Sequence, residues 1–279
     1  MIKKEYIYII FLLTIFTVGF LLASFLKNVM PIADPSTTLY YVASIVLRLL
    51  FCILIFALIY KSGLHHFNGL KHPFRISNIH FLSLPTLVIV IILISVMDTV
   101  SSLTTTMVIL MIAHALLIGL FEEGLVRGIV LPLLIKCGSG RLRFVKALVV
   151  SSMIFGLLHY INLVTQARTF EEVNGQVIYA TAVGCFFGGM VLANRNILPA
   201  AILHAMINFP SIISKGTKGD DTTPMPTEEG SQLPTLLFFL TLAALGIYMA
   251  QQSNKNKVLY RLQHVTLPFS SNMFKKVNL

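Results

Sequence analysis

Charged residues are scarce in this sequence. Only 11% of its 279 residues are Asp, Glu, Lys or Arg, against 56% hydrophobic, and the mean hydropathy is +0.83. A soluble domain carries roughly 25% charged residues, so a soluble fold, which needs a polar surface, is excluded. Cysteine is scarce as well. Cys52, Cys137 and Cys185 form neither an even set nor a CxxC pair, which excludes a disulfide framework and a cysteine-bound zinc. An internal repeat of the kind found in transporters built from inverted halves is also missing.

What is present is a series of long apolar runs. A helix needs about 20 apolar residues to cross ~30 Å of hydrocarbon, and runs near that size occupy 6–26, 39–60, 81–97, 107–135, 144–164, 177–193, 197–213 and 234–251. The expected fold is therefore all-α, a polytopic transmembrane helix bundle of about eight helices. The fourth run exceeds a simple span and contains charges. The first follows Lys3-Lys4, and its length and the lack of an A-x-A site favour an uncleaved anchor over a signal peptide.

The net charge of +10, from 21 basic and 11 acidic residues, would suggest nucleic acid in a soluble protein. In a membrane protein it is an orientation signal. One set of alternating segments holds Lys3, Lys4, Lys61, Lys71, Arg75, Arg127, Lys136, Arg141, Arg143, Lys146, Arg195 and the basic tail. The other set holds only Lys27, Arg168, Lys215 and Lys218. The first set is cytoplasmic under the positive-inside rule, which makes both termini cytoplasmic and leaves no nucleic-acid partner. The chain divides into N-terminal helices (1–106), a central core (107–213), and an exterior loop, last helix and basic tail (214–279).

Two of the eleven acids, Glu122 and Glu123, lie inside an apolar run, where each costs at least ~2.5–3.5 kcal/mol. Glu123 and Arg127 are i and i+4 on one helical face and pair. Glu122 points about 100° away and is left for another task. His159 ends Phe155-Gly-Leu-Leu-His159, and His204 with Asn208 forms a second i, i+4 pair. At 1.5 Å per residue, Glu122, His159 and Asn208 lie roughly 20 Å from the cytoplasmic ends of their helices, and His204 roughly 14 Å. Singly, each has a structural reading: a histidine bonded to a carbonyl, an ion pair as glue, and Gly124/Gly128 and Gly184/Gly188 as packing pairs. Together they are what water activation requires, a proton acceptor, a group to orient water, and donors to an oxyanion.

Here the sequence resembles the CAAX-protease and bacteriocin-processing (CPBP, or Abi) family of intramembrane proteases. That family is marked by EExxxR, FxxxH and HxxxN or HxxxB on successive helices. These read Glu122-Glu123-x-x-x-Arg127, Phe155-x-x-x-His159 and His204-x-x-x-Asn208, in order, within about 115–210. The resemblance implies an eight-helix bundle with a water-filled cavity opening towards the cytoplasm. It implies Glu122 as general base, His159 holding the nucleophilic water, His204 and Asn208 donating to the oxyanion, and Glu123 with Arg127 orienting the catalytic helix. Glu122, His159 and His204 are also a donor set for Zn²⁺ with an open water position, as other catalytic zincs are held. The metal-free and zinc accounts use the same residues.

Other intramembrane proteases are set aside by motif. There is no HExxH and no GxGD, and Gly138-Ser139-Gly140 lies in a basic loop without a nearby histidine.

The implied activity is that of a peptidase, of the kind labelled CAAX prenyl protease or metalloendopeptidase among its relatives. Its partners are the lipid bilayer and a membrane-associated peptide or protein: a prenylated protein in eukaryotic members, or a bacteriocin or leader peptide, with self-immunity, in bacterial ones. The size and the lack of a eukaryotic targeting signal point to a bacterial cell membrane; a eukaryotic member would reside in the endoplasmic reticulum. Two rival readings use the same bundle, a non-enzymatic scaffold that regulates a partner and a transporter with Glu122, Glu123 and the histidines as a proton relay. Arg48 lies roughly level with Glu122. It pairs with Glu123, holds a substrate carboxylate, or merely snorkels or packs. His114 reads as structural, and the histidines of 61–80 as part of a solvated loop.

Overall fold

The computed structural model describes residues 3–29, 34–70, 83–166, 168–218 and 233–267. Among these, the regular structure is entirely helical. The long elements are α1 (Lys4–Val29), α2 (Thr38–Lys61), α5 (Thr105–Leu125), α7 (Arg143–Leu158), α9 (Phe170–Asn194), α10 (Leu198–Lys218) and α11 (Leu233–Gln252). Shorter ones are α3 (Ser83–Ser95), α4 (Met97–Ser101), α6 (Leu131–Cys137), α8 (Asn162–Thr165) and α12 (Lys255–Gln263).

Helix starts follow local capping chemistry. The hydroxyls of Thr37 and Thr104 accept from the Tyr40 and Met107 amides at 3.3 Å each. Thr169 and Glu172 form a reciprocal capping box at the start of α9. That helix stops at Arg195, which takes the left-handed conformation at φ 57°.

Six described helices are long and apolar enough to cross a membrane: Lys4–Phe25, Thr38–Lys61, Thr105–Cys137, Arg143–Thr165, Phe170–Asn194 and Thr235–Gln252. Two of the eight expected spans are not among them. The described part of the run 81–97 is α3, followed after Val96 by α4; residues 71–82, which adjoin its start, lie outside the described ones, as does most of the expected exterior loop, 219–232. The run 197–213 is helical in α10, but His204, Asn208, Ser211 and Lys215 give it a polar face, and it packs inside the bundle along α5. The multi-pass membrane assignment rests on the other six.

The core joins α1, α2, α5, α6, α7, α9, α10, α11 and α12 through buried residues such as Phe16, Ile55, Leu131, Leu148, Phe187 and Met249. Small residues permit the close contacts. Gly124 and Gly128 face Ile55 and Ile59 of α2, and Gly188 faces Leu148 of α7. Many large apolar side chains remain on the outside, including Ile10, Leu50, Ile94 and Leu240, as a lipid-facing surface requires.

The segments that charge sorting assigns to one side meet at one end of the bundle. Lys3 Nζ donates to the Cys137 carbonyl at 2.6 Å, and Lys136 Nζ to the Val265 carbonyl at 2.6 Å. The Thr266 amide reaches the Ser62 carbonyl, and the Ile197 amide the Asn68 carbonyl. The start of α1, the loop after α2, the turn after α6, the α9–α10 turn and α12 therefore share this basic end. At the opposite end Tyr41 Oη donates to the Ile212 carbonyl at 3.2 Å and Lys215 Nζ to Gln166 Oε1 at 3.0 Å.

Candidate active site

The Glu-Glu pair stands at the end of α5, where the helix changes its winding. From Val126 to Val130 the chain makes a π-helical turn before resuming as α6 at Leu131. Such turns insert an extra residue into the helical ladder and gather at functional sites. The fully buried Asn68, from the loop after α2, donates its side-chain amide to the Gly128 carbonyl at 3.1 Å and so satisfies a backbone group inside that turn. Nothing in the residue pattern announces the π turn. Asn68 carries no periodic signal either, so sequence reasoning misses both.

Glu123 is fully buried. Its Oε1 accepts from Arg127 Nη1 at 3.1 Å and from His204 Nδ1 at 3.0 Å. Arg127 is equally buried, and its guanidinium lies 4.5 Å from the centre of the Phe155 ring. Gly184 of α9 makes room for it, because a Cβ there would stand 2.8 Å from Arg127 Nη2. Gly184, read from the sequence as a packing residue, thus clears space for the ion pair.

Glu122 diverges from Glu123 as the ~100° step between neighbours requires. Its carboxylate is 28% exposed and lies 3.5 Å from His204 Nε2. The His204 ring therefore spans the two carboxylates, with Nδ1 towards Glu123 and Nε2 towards Glu122. Phe187 stacks on it at 5.7 Å, and Phe155 meets it edge-on at 5.7 Å. Close packing of α5 on α10 brings these groups together. Gly119, one turn before Glu123, lies directly against the Ala201 carbonyl and the Ala205 amide, on either side of His204.

His159 follows the last residue of α7. Its Nδ1 donates to the Phe155 carbonyl at 2.9 Å. A carbonyl only accepts, so the neutral ring carries its proton on Nδ1 and leaves Nε2 as a lone-pair acceptor. Phe155 also braces this ring edge-on at 5.0 Å. Asn208 makes no hydrogen bond to a described residue, which leaves its amide available.

Two adjoining cavities meet at these groups. One, of about 260 Å³, is lined by Glu122, His159, Asn208, Arg48 and the aromatic wall of Phe16, Phe20 and Phe121. The other, of about 270 Å³, is lined by His204, Tyr179, His159 and Asn208. All four expected catalytic residues border this space, and Glu123 and Arg127 lie behind it. Arg48 lines the first cavity with Glu122 and does not pair with Glu123, whose partners are Arg127 and His204. His114 also lines the first cavity, against Tyr41 at 5.5 Å. The outer lining comes from Tyr40, Gln166, Arg168 and Lys215, at the end of the bundle away from the basic loops.

The donor set bears on zinc. Among the described residues no three of His, Cys, Asp and Glu converge as a metal site. The two ring nitrogens of His204 face Glu123 and Glu122, and His159 Nδ1 faces a carbonyl. As arranged, Glu122, His159 and His204 do not close on one ion position, while each histidine commits Nδ1 to an acceptor and leaves Nε2 for a further partner, as zinc-ligating histidines do.

Comparison with known proteins bears on the same segment. No curated protein and no solved structure matches the chain. A family profile does: residues 103–210, which contain α5, α7, α9 and most of α10 with all of the motif residues, match the Rce1-like family, described as type II CAAX prenyl endopeptidase Rce1-like. The segment similar to that family supplies Glu122, Glu123, Arg127, His159, His204 and Asn208, while Phe16, Phe20, Arg48, Ser211 and Lys215 of the cavity lining lie outside it.

Proposed function

We propose that this chain is an intramembrane peptidase that hydrolyses a membrane-associated peptide or protein with water activated by Glu122. The observation carrying this reading is the placement of one partly exposed carboxylate, Glu122, at a cavity whose other polar groups include two ring-oriented histidines and the amide of Asn208. A carboxylate serves as a general base when it is within reach of water and held by a rigid shell. The shell is Glu123, Arg127 and the aromatic rings around both histidines.

In the proposed reaction the substrate carbonyl sits between Glu122 and the Asn208 amide. His159 Nε2 accepts a hydrogen bond from the attacking water. Glu122 takes the other proton as the water oxygen bonds to the carbonyl carbon. The resulting oxyanion accepts from Asn208 and from the Nε2–H of His204, whose ring acts as an imidazolium held between the two carboxylates. The C–N bond then breaks as Glu122 passes its proton to the leaving amine, which restores the carboxylate. Oxyanion donors of this kind contribute about 3–4 kcal/mol each elsewhere. The apolar wall of Phe16, Phe20 and Phe121 suits a hydrophobic or lipid-bearing substrate, whether a prenylated chain end or a leader peptide.

The deciding experiment compares membrane and secreted peptides from cells expressing wild type and Glu122→Ala, together with metal analysis of the purified protein. A peptide product that vanishes in the variant supports the reading. An unchanged peptide profile with a retained phenotype points to the scaffold, and pH-driven flux in proteoliposomes without cleavage points to the transporter.

A further inference from the structure

The end of the bundle at which the cavity opens determines the side from which a substrate enters. The resemblance implies access from the cytoplasm. Under the positive-inside rule the cytoplasmic end is the one where Lys3, Lys61, Lys136, Arg143, Arg195 and Lys257 gather. No described residue of that end lines either cavity. Between Glu122 and that end lie the fully buried Ile129, Val130, Leu131, Leu133 and Ile135, which leave no aqueous path along this helix. The lining continues instead towards the opposite end, through Asn162, Ser211, Gln166, Arg168 and Lys215. Ser211 is exposed, while Gln166, Arg168 and Lys215 are half-buried.

The charge of this lining is one-sided. Arg48, Arg168 and Lys215 line the first cavity, and Glu122 is its one carboxylate among the described lining residues. Arg48 and Arg168 make no hydrogen bond or ion pair with a described residue. Lys215 is held by Gln166 at 3.0 Å. Basic residues are sparse at this end of the bundle, so their presence around the mouth is not a by-product of orientation. Low-dielectric walls lined by one sign of charge concentrate ligands of the other.

We propose that the site is filled from the exterior, less basic end of the bundle, and that it takes an acidic, partly apolar peptide segment presented on that face. Arg168 and Lys215 draw the segment into the mouth, and the apolar wall receives its hydrophobic residues. The proposal rests on the peptidase reading for the chemistry after binding, but its tests read access and binding without requiring cleavage.

Access is tested with single cysteines. Ser211→Cys lies at the cavity mouth, and Ser139→Cys is the control, in the exposed turn at the basic end. The native cysteines are buried and give a low background. Right-side-out and inverted membrane vesicles are treated with a membrane-impermeant maleimide. The expected result is labelling of Ser211→Cys in right-side-out vesicles and of Ser139→Cys in inverted ones. Labelling of Ser211→Cys only in inverted vesicles, alongside Ser139→Cys, overturns the proposal.

Charge preference is tested by binding to purified protein. The probes are three peptides that share one apolar core flanked by Glu, Gln or Lys. The acidic peptide is expected to bind at least tenfold tighter than the lysine peptide at low salt, a gap that narrows with added salt and in Arg168→Gln/Lys215→Gln. Equal binding of the three, or an unaltered gap in the double variant, overturns it. If these results hold but no peptide is ever cleaved, the peptidase reading fails and the exterior binding site stands.

Discussion

Glu123 and His204, 81 residues apart in the chain, share a buried hydrogen bond of 3.0 Å that fixes the orientation of the imidazole. With Nδ1 committed to Glu123, Nε2 can only face the cavity and Glu122. One carboxylate thus positions the ring that the other uses. Because the same Glu123 oxygen also accepts from Arg127, the ion pair, the imidazole and the cavity wall form one connected unit.

That connection predicts strong non-additivity. Glu123→Gln leaves Arg127 charged in the apolar interior, and removing one partner of a buried pair costs about 3–5 kcal/mol. Replacing both, in Glu123→Gln/Arg127→Met, should restore a substantial part of that stability without restoring activity. Thermal unfolding in detergent, set beside peptide cleavage, checks both halves. Equal instability of the single and double variants would contradict it.

Glu122→Gln should behave in the opposite way. The side chain is partly exposed to the cavity and stands outside the Glu123–Arg127 ion pair, so the melting temperature should move by only a few degrees. Cleavage should fall by about 10²–10⁴-fold, the usual contribution of a positioned general base. Retention of most activity would remove Glu122 from the role given to it.

Gly119 is predicted to be intolerant of any side chain. A Cβ would collide with the Ala201 carbonyl and push α10, with His204 and Asn208, away from Glu122. Gly119→Ala should cost roughly 1–3 kcal/mol, as overpacking does, and lower kcat more than it raises KM. Gly140, with open space around it, is the control site; its positive φ of 79° makes Asn the tolerable replacement there.

Asn68 tests whether the π turn matters. Asn68→Leu removes the donor to the Gly128 carbonyl and leaves a buried acceptor unpaired, at a cost of about 1–3 kcal/mol. Cleavage should drop along with stability, since the turn sets the direction of Arg127. A loss of stability with kcat intact would show that the turn is only a packing feature.

Arg48 is the remaining cation of the cavity. If it binds a carboxylate of the substrate, Arg48→Ala keeps its fold and raises KM by about tenfold or more, with a smaller effect on kcat. Normal cleavage with a normal fold would leave Arg48 as a packing or snorkelling residue. Steady-state kinetics on one apolar peptide, as free acid and as amide, separates these outcomes.

The membrane class, the helical fold and the candidate residues that border the cavities were legible because each follows from composition or from local spacing. Helix periodicity places Glu123 and Arg127 together and turns Glu122 away, and lone charges in apolar runs are conspicuous because burying them is costly. Loop charges likewise grouped the segments that meet at the basic end. The α10 run was less legible: it passes from the basic end at Ile197 to the opposite end at Ile212 and Lys215, but its polar face lines the cavity, which hydropathy along the chain does not show.

Tertiary structure decided the rest. Only the approach of α5 to α10 at Gly119 makes His204 bridge two carboxylates, and only the loop carrying Asn68 stabilises the π turn. The direction of the cavity depends on which side chains fill the space between helices, and that is a property of packing in three dimensions. Local sequence fixes the chemistry each residue can offer, while long-range packing determines which groups meet and from which end a substrate reaches them.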